Sequence, residues 1–414
     1  MGFLIMFIIF LGLDLYVFQG IKMLTAGISS GLLKNGITIG FWIISWGLVL
    51  LMIYGFFGFR KTHHFTWVSR WTLNFFITIL VTKIFFIFFL FSEDIYRFVF
   101  GVGQKIVQQN PAEDQAFFPD RRLFFSQVGL MVASVPFVSF LYGMTKGKYN
   151  YKIHHHKLFF DDLPAAFEGF KIAQFSDFHS GSFDDPQEVQ KGLNMLQNQN
   201  CDLIVFTGDL VNNSADEVDP YKHMLKELHA PYGKFSILGN HDYGDYIEWP
   251  SQNEKQNNLQ QLINNHHDMG FRLLQDESHA IEKKGEKIHI LGVENWGVGF
   301  GKSGNLEKAL VGTQPNDFKV LLSHDPTHWE HEVKMHSSNI HLTLSGHTHG
   351  AQMGVEIPGF KFSPVQFRYP HWAGLKEELG RIIHINRGFG FLAFAGRVGI
   401  WPEITVIELL KKQV

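Results

Sequence analysis

Five short stretches of this chain carry side chains of the kind that bind divalent metals. They are Asp177-Phe178-His179, Gly208-Asp209, Gly239-Asn240-His241-Asp242, Ser323-His324-Asp325 and Gly346-His347-Thr348-His349. Imidazoles, carboxylates and an amide oxygen without a thiolate suit borderline or hard ions such as Mn, Fe or Zn. Cys201 is the only cysteine, which leaves neither a cysteine zinc site nor an intrachain disulfide. Each stretch alone is commonplace: Asp-x-His is usually a turn, Gly-Asp a strand exit and His-x-His a solvated pair. Together they offer more ligands than one tetrahedral ion would use, and their meaning lies in where they fall.

Each follows a short β-rich apolar run. Such runs occupy 170–175, 203–207, 234–238, 287–293, 318–322, 340–344, 381–386 and 403–409, with helix patterns between them at 186–198 and 326–335. Alternating strands and helices predict a layered α/β domain. Strands of one sheet bring their carboxyl ends to a common edge, so five strand ends would deliver His179, His241, His324, His347 and His349 with their aspartates and Asn240 to one place. That is a metal constellation. Among the other histidines, His154, His155, His156, His223, His229, His266, His267, His328, His331 and His336 have no such placement and are expected at the surface.

The five blocks strongly resemble those of the calcineurin-like metallophosphoesterases, which read Asp-x-His, Gly-Asp, Gly-Asn-His-Asp/Glu, His and Gly-His-x-His. The resemblance covers about 250 residues, from Leu163-Pro164 to Pro402-Glu403-Ile404-Thr405, and looks most like a bacterial membrane-associated branch that often carries a twin-arginine signal. It implies a four-layer sandwich, two central β-sheets flanked by helices, over residues 161–414. It also implies two divalent ions, one held by Asp177, His179, Asp209 and His349 and the other by Asp209, Asn240, His324 and His347, with Asp209 bridging. The reaction implied is hydrolysis of a phosphomonoester, phosphodiester or diphosphate by a metal-bridging hydroxide. His241 would then be the proton donor, and its neighbour Asp242 could orient it. Two departures stand beside the ligands: that branch commonly has aspartate at Asn212 and glycine at Ala351.

Residues 1–150 differ from the rest. They hold 24 of the 42 phenylalanines and 2 of the 22 histidines, with 12 Lys+Arg against 6 Asp+Glu; the remainder has 24 against 33. A bilayer core needs roughly 20 apolar residues in a helix, and runs at 3–18, 37–59, 71–91 and 123–142 come close to that. A four-span membrane domain over 1–145 follows, then a basic juxtamembrane linker over 146–160. Asp14 and Lys83 lie inside spans at similar depth; they could pair, but an end-of-helix Asp14 and a snorkelling Lys83 is the preferred reading. Arg60, Lys61, Arg70, Lys146, Lys148 and Lys152 on one side tie with Lys22, Lys34, Arg97, Lys105, Arg121 and Arg122 on the other. The pair Arg121-Arg122 before an apolar helix tips the tie toward an extracytoplasmic catalytic domain on a multi-pass plasma-membrane protein.

Membrane attachment favours a lipid-linked phosphate or other envelope precursor as substrate, with membrane lipids as partners and no obligate protein partner. The net negative charge after residue 150 disfavours nucleic acid. Aromatic segments around Tyr243, Tyr246, Trp249 and Trp296 could line a pocket. A different class of function, a membrane sensor or scaffold with a structural metal site, fits the same architecture.

Overall fold

The computed structural model describes residues 2–62, 66–107 and 119–412, and the chain divides into two compact units, Met1–Tyr142 and Gly143–Val414.

In the first unit, α1 (Gly2–Leu24), α2 (Gly31–Thr62), α3 (Trp67–Val107) and α4 (Pro119–Thr145) are each long and apolar enough to cross a membrane. Most of their large outward side chains are apolar, Leu32, Ile43, Leu50 and Phe88 among them, as lipid favours. Lys83 does not snorkel. Its Nζ lies 2.6 Å from Asp14 Oδ1 and 2.8 Å from Ser45 Oγ, with Asp14 and Ser45 buried, so α1, α2 and α3 meet at an ion pair. In hydrocarbon each charge costs so much alone that a partner at the same depth outweighs the path to the interface. Arg121 and Arg122 are likewise engaged, at 3.0 Å from Glu93 Oε1 and Asp94 Oδ1, and Asp94 also accepts from Tyr16 at 2.6 Å. The arginine pair thus serves as a helix-to-helix clamp. The side chains of Arg60, Lys61 and Lys105, part of the charge tie, lie outside the described residues.

The second unit is built on two six-stranded sheets. The first runs β1 (Lys152–Phe160), β14 (Glu403–Lys411), β2 (Phe170–Phe175), β3 (Leu203–Thr207), β4 (Lys234–Ile237), β5 (Arg272–Leu273). The second runs β12 (Gly374–Glu378), β13 (Arg381–Ile385), β9 (Leu342–Ser345), β8 (Lys319–Leu322), β7 (Glu286–Gly292), β6 (Glu277–Lys283). Strands β2 to β5 are parallel, as are β7, β8, β9 and β13. A separate hairpin pairs β10 (Val355–Ile357) with β11 (Phe360–Phe362).

Alternation along the strands makes the layers. Ile172, Val205, Ile237, Val320, Leu322 and Leu344 fill the space between the sheets. Ala173, Ile204 and Phe206 face away, onto α5 (Pro186–Gln197), α6 (Lys222–Glu227) and α7 (Gln252–Asp268), while Leu291 and Leu321 face α8 (Leu306–Ala309) and α9 (Thr327–His331) with Trp329. Burial on both faces is why these strands read as continuous apolar runs. The stretch expected as a basic linker is strand β1, paired in parallel with β14 from Lys152↔Glu403 to Phe160↔Lys411. It lies at the sheet edge with Lys152, His155 and Lys157 exposed, and that polar alternation hid it. His266 and His328 are buried rather than superficial: His266 packs on Phe206 and Phe271, and His328 stacks on Trp296 with Nδ1 2.8 Å from Ser323 Oγ.

Candidate metal centre

Three strand ends of the first sheet and two of the second supply the site. The turn after β2 carries Asp177 and His179, that after β3 carries Asp209, and that after β4 carries Asn240 and His241. The turns after β8 and β9 carry His324, and His347 with His349. Five of these residues have a left-handed backbone: Asp177 (φ 50°), His179 (49°), Asp209 (60°), His347 (75°) and His349 (50°). For residues with a Cβ that conformation costs on the order of 1–3 kcal/mol each, and such strain gathers at functional sites. Gly208 before Asp209 has φ 90°, and a Cβ there would come within 2.7 Å of His324 Nδ1, so only glycine lets the two sheets' turns close up.

Two donor sets result. Asp177, His179, Asp209 and His349 form one, with His179 Nε2 3.0 Å from His349 Nε2 and 3.5 Å from Asp209 Oδ2. Asp209, His324 and His347 form the other, with His324 Nε2 3.2 Å from Asp209 Oδ2 and 3.3 Å from His347 Nδ1. Asn240 joins this second set through Oδ1, 2.8 Å from His347 Nδ1, its amide nitrogen being committed to Tyr246 Oη at 2.8 Å. Every sequence-derived candidate ligand is therefore gathered here, and Asp209 belongs to both sets.

The outer nitrogens are held so that the inner ones face the centre. His324 Nδ1 donates to the Thr207 carbonyl at 2.7 Å and His179 Nδ1 to Asn212 Oδ1 at 3.1 Å. Burial pushes His179 down to about 3 and His347 down to about 4, and lowers His349 as well, so these rings are neutral and present lone pairs. Burial, with Asp209 close by, raises Asp177 to about 7. Burial alone would lower His324, but Asp209 beside it raises it to about 10. Lone pairs and carboxylates crowded this closely in a buried place repel one another, and cations would relieve the crowding. The residues present thus fit divalent metals, with nitrogen and oxygen donors only.

His241 adjoins the first set. Its amide donates to Asp209 Oδ1 at 2.9 Å, its ring lies 5.0 Å from that of His179, and Nδ1 is 2.8 Å from the Asn212 carbonyl, which leaves Nε2 for another partner. Asp242 does not orient it. The Asp242 carboxylate is fully buried on the other side of the turn and accepts from the amides of Gly239, Asp209, Leu210 and Val211 at 2.8–3.2 Å. It braces the two ligand-bearing turns, and the carbonyl of Asn212 takes the orienting role expected of it.

Of the aromatic residues expected at a pocket, Tyr246 lies on His241 at 4.3 Å. Tyr243 instead bonds the Asn295 amide and Trp296 is buried against His328. Residues outside the candidate ligand set complete the rim: Tyr369 Oη is 2.8 Å from His347 Nε2, Asp325 Oδ2 is 3.4 Å from the same nitrogen, and Phe300 lies 4.5 Å from that ring. Asp325 adjoins a motif histidine and was visible in sequence; Tyr369 and Phe300 come from loops with no recognisable pattern.

Residues 170–351 match a family described as calcineurin-like phosphoesterase, and residues 1–148 match one described as probable calcineurin-like phosphoesterase, transmembrane domain. The chain is 30% identical over 254 residues to the uncharacterized metallophosphoesterase YkuE of Bacillus subtilis, covering 60% of this chain and 81% of that protein. The chain belongs to the calcineurin-like metallophosphoesterases. It is also 27% identical to the protein named UDP-2,3-diacylglucosamine pyrophosphatase LpxG of Chlamydia trachomatis, over 55% of this chain and 81% of that one. Over 76% of its length it is 25% identical to the transmembrane protein with metallophosphoesterase domain of Danio rerio, of which it covers 70%. It is a membrane metallophosphoesterase, with four membrane-length helices before a domain whose buried Asp/His cluster is suited to divalent metal.

Proposed function

We propose that this enzyme uses two divalent ions, Mn, Fe or Zn, to cleave a phosphoester or diphosphate bond in a lipid-linked or envelope-precursor substrate. The observation that carries the proposal is the pair of donor sets sharing Asp209, in a chain that also has four membrane-length helices. When bound, such ions lower the pKa of a water and neutralise charge on phosphoryl oxygens. The chain's own residues do the rest. Asp177, His179 and His349 would hold one ion, Asn240, His324 and His347 the other, and Asp209 both. His241, fixed through Nδ1 by the Asn212 carbonyl, directs Nε2 to the leaving oxygen and supplies its proton. Tyr246 and Phe300 flank the two ends of this array. The lipid-linked class is supported by the chlamydial relatives' name, which specifies an acylated nucleotide sugar. We place the catalytic domain on the extracytoplasmic side. Cys201 is buried, so a cysteine introduced at exposed Val311 can report that side by labelling of intact cells.

The test is hydrolysis by the purified full chain of a generic aryl phosphodiester with Mn, Fe or Zn, and lipid profiling of a deletion strain beside an Asp209→Ala strain. Metal-dependent turnover and one phosphate species accumulating in both strains are expected. No hydrolysis with any divalent ion would favour a scaffold with a structural metal site.

A further inference from the structure

The β10–β11 hairpin has no role in either sheet or in the metal centre, yet its two faces are sharply different. The register pairs Val355 with Phe362, Glu356 with Lys361 and Ile357 with Phe360. Directly paired residues share a face and neighbours alternate, so Val355, Phe362, Ile357 and Phe360 make one face and Glu356 and Lys361 the other. The polar face is fastened to the domain: Glu356 accepts from Arg387 at 2.5 and 3.1 Å, and Lys361 Nζ donates to the Ala373 carbonyl at 2.5 Å. The apolar face looks outward, with Val355 46%, Ile357 58%, Phe360 55% and Phe362 37% exposed, and the neighbouring Phe367 83% exposed. A compact group of large apolar side chains left in the open marks a protein or membrane contact.

The root of the hairpin indicates which. Met353 forms a bridge with Val398, the Gly354 amide donates to the Val398 carbonyl at 2.9 Å, and the Val398 amide donates to Gln352 at 2.8 Å. The adjoining Arg397 amide donates to the carbonyl of Gly143, in the last turn of α4. The contact there is close, since a Cβ on Gly143 would fall 2.6 Å from the Arg397 carbonyl oxygen and 2.7 Å from Val398. Residues 396–399 therefore hold the end of the last membrane-length helix on one side and the root of the hairpin on the other. The hairpin's root is thus joined to Gly143, which opens this unit and lies in the last turn of that helix.

We infer that the β10–β11 hairpin and Phe367 form an interfacial anchor whose apolar face is buried at the boundary of lipid headgroups and acyl chains. The anchor springs from the ligand-bearing turn His349–Gln352, so it also holds that side of the metal centre against the lipid surface from which a lipid-linked molecule would come. The partner is the bilayer, recognised by apolar burial.

The experiment uses the full chain with Cys201→Ala, reconstituted in phosphatidylcholine/phosphatidylglycerol vesicles. Single cysteines replace Ile357, Phe360 or Phe367, with exposed Val311 and Leu379 as references, and each is labelled with an environment-sensitive fluorophore. Labels at 357, 360 and 367 should show blue-shifted emission and quenching by lipids carrying a shallow doxyl group, while 311 and 379 show neither. Position 367 lies outside the hairpin ladder, so it reports even where a label at 357 or 360 disturbs strand pairing. Emission and quenching equal to those at 311 and 379 would overturn the inference. So would a blue shift that doxyl lipids leave unquenched and that grows with protein-to-lipid ratio, which would assign the face to a second copy of this chain. Catalysis is not read, so failure here is distinct from failure of the proposed reaction.

Discussion

At the scale of single residues, the site is a set of side chains held by a strained backbone. Positions 349 to 352 are all left-handed, with φ between 50° and 58°, and Ala351 alone among them is a non-ligand with neither a bonded side chain nor a glycine's freedom. Ala351→Gly should raise stability by about 1 kcal/mol, measurable as an increased denaturant midpoint at unchanged slope. An unchanged or lower midpoint would show that the strain is not relieved there. His241→Ala should keep the metal content of the wild type but lose most turnover on esters with poor leaving groups. Equal losses on activated aryl and unactivated alkyl esters would remove the proton-donor role. The candidate ligands that the structure gathers were legible because each donor type stands directly at a strand end. The role of Asp242 was not, because adjacency in sequence to His241 says nothing about which side of a turn a carboxylate faces, and here four backbone amides claimed it.

At the scale of elements, strands were legible where burial on both faces made them continuously apolar, as in β2, β3 and β8. Strand β1 was hidden by its Lys and His residues at a sheet edge, and the β10–β11 hairpin by its brevity. Asp14 and Lys83 show the limit of reading one helix at a time: their depths suggested a pair, but only the packing of α1, α2 and α3 with Ser45 decided it. Lys83→Met alone should destabilise the helical unit by about 3–5 kcal/mol, because it leaves Asp14 buried and unpaired, whereas Asp14→Leu with Lys83→Met should recover most of the loss. Unfolding of the full chain by a denaturing detergent in mixed micelles reads this; a double variant no better than the single would mean that the pair is not the reason for the charges.

At the scale of the whole molecule, two ionic devices tie distant segments together. Glu403 is fully buried at the start of β14 and is bonded to Arg387, which also holds the hairpin's Glu356. Burial alone would raise Glu403, but Arg387 and His384 pull it well below the ordinary glutamate range. Its stabilisation is thus fully present above the unfolded value near about pH 4.3 and is lost as pH falls through the lower folded value. Glu403→Gln should accordingly be less stable than wild type at neutral pH, with the difference shrinking under acid. A constant difference between pH 7 and the acid transition of the metal-free chain would contradict that linkage. The second is the proposed metal centre, in which Asp209 would join turns from both sheets through shared ions. Elemental analysis of the purified full chain tests it most directly. Wild type should hold two divalent ions per chain, His349→Ala and His324→Ala about one each, and Asp209→Ala close to none; two ions retained in Asp209→Ala would contradict the shared ligand and the two-metal mechanism built on it.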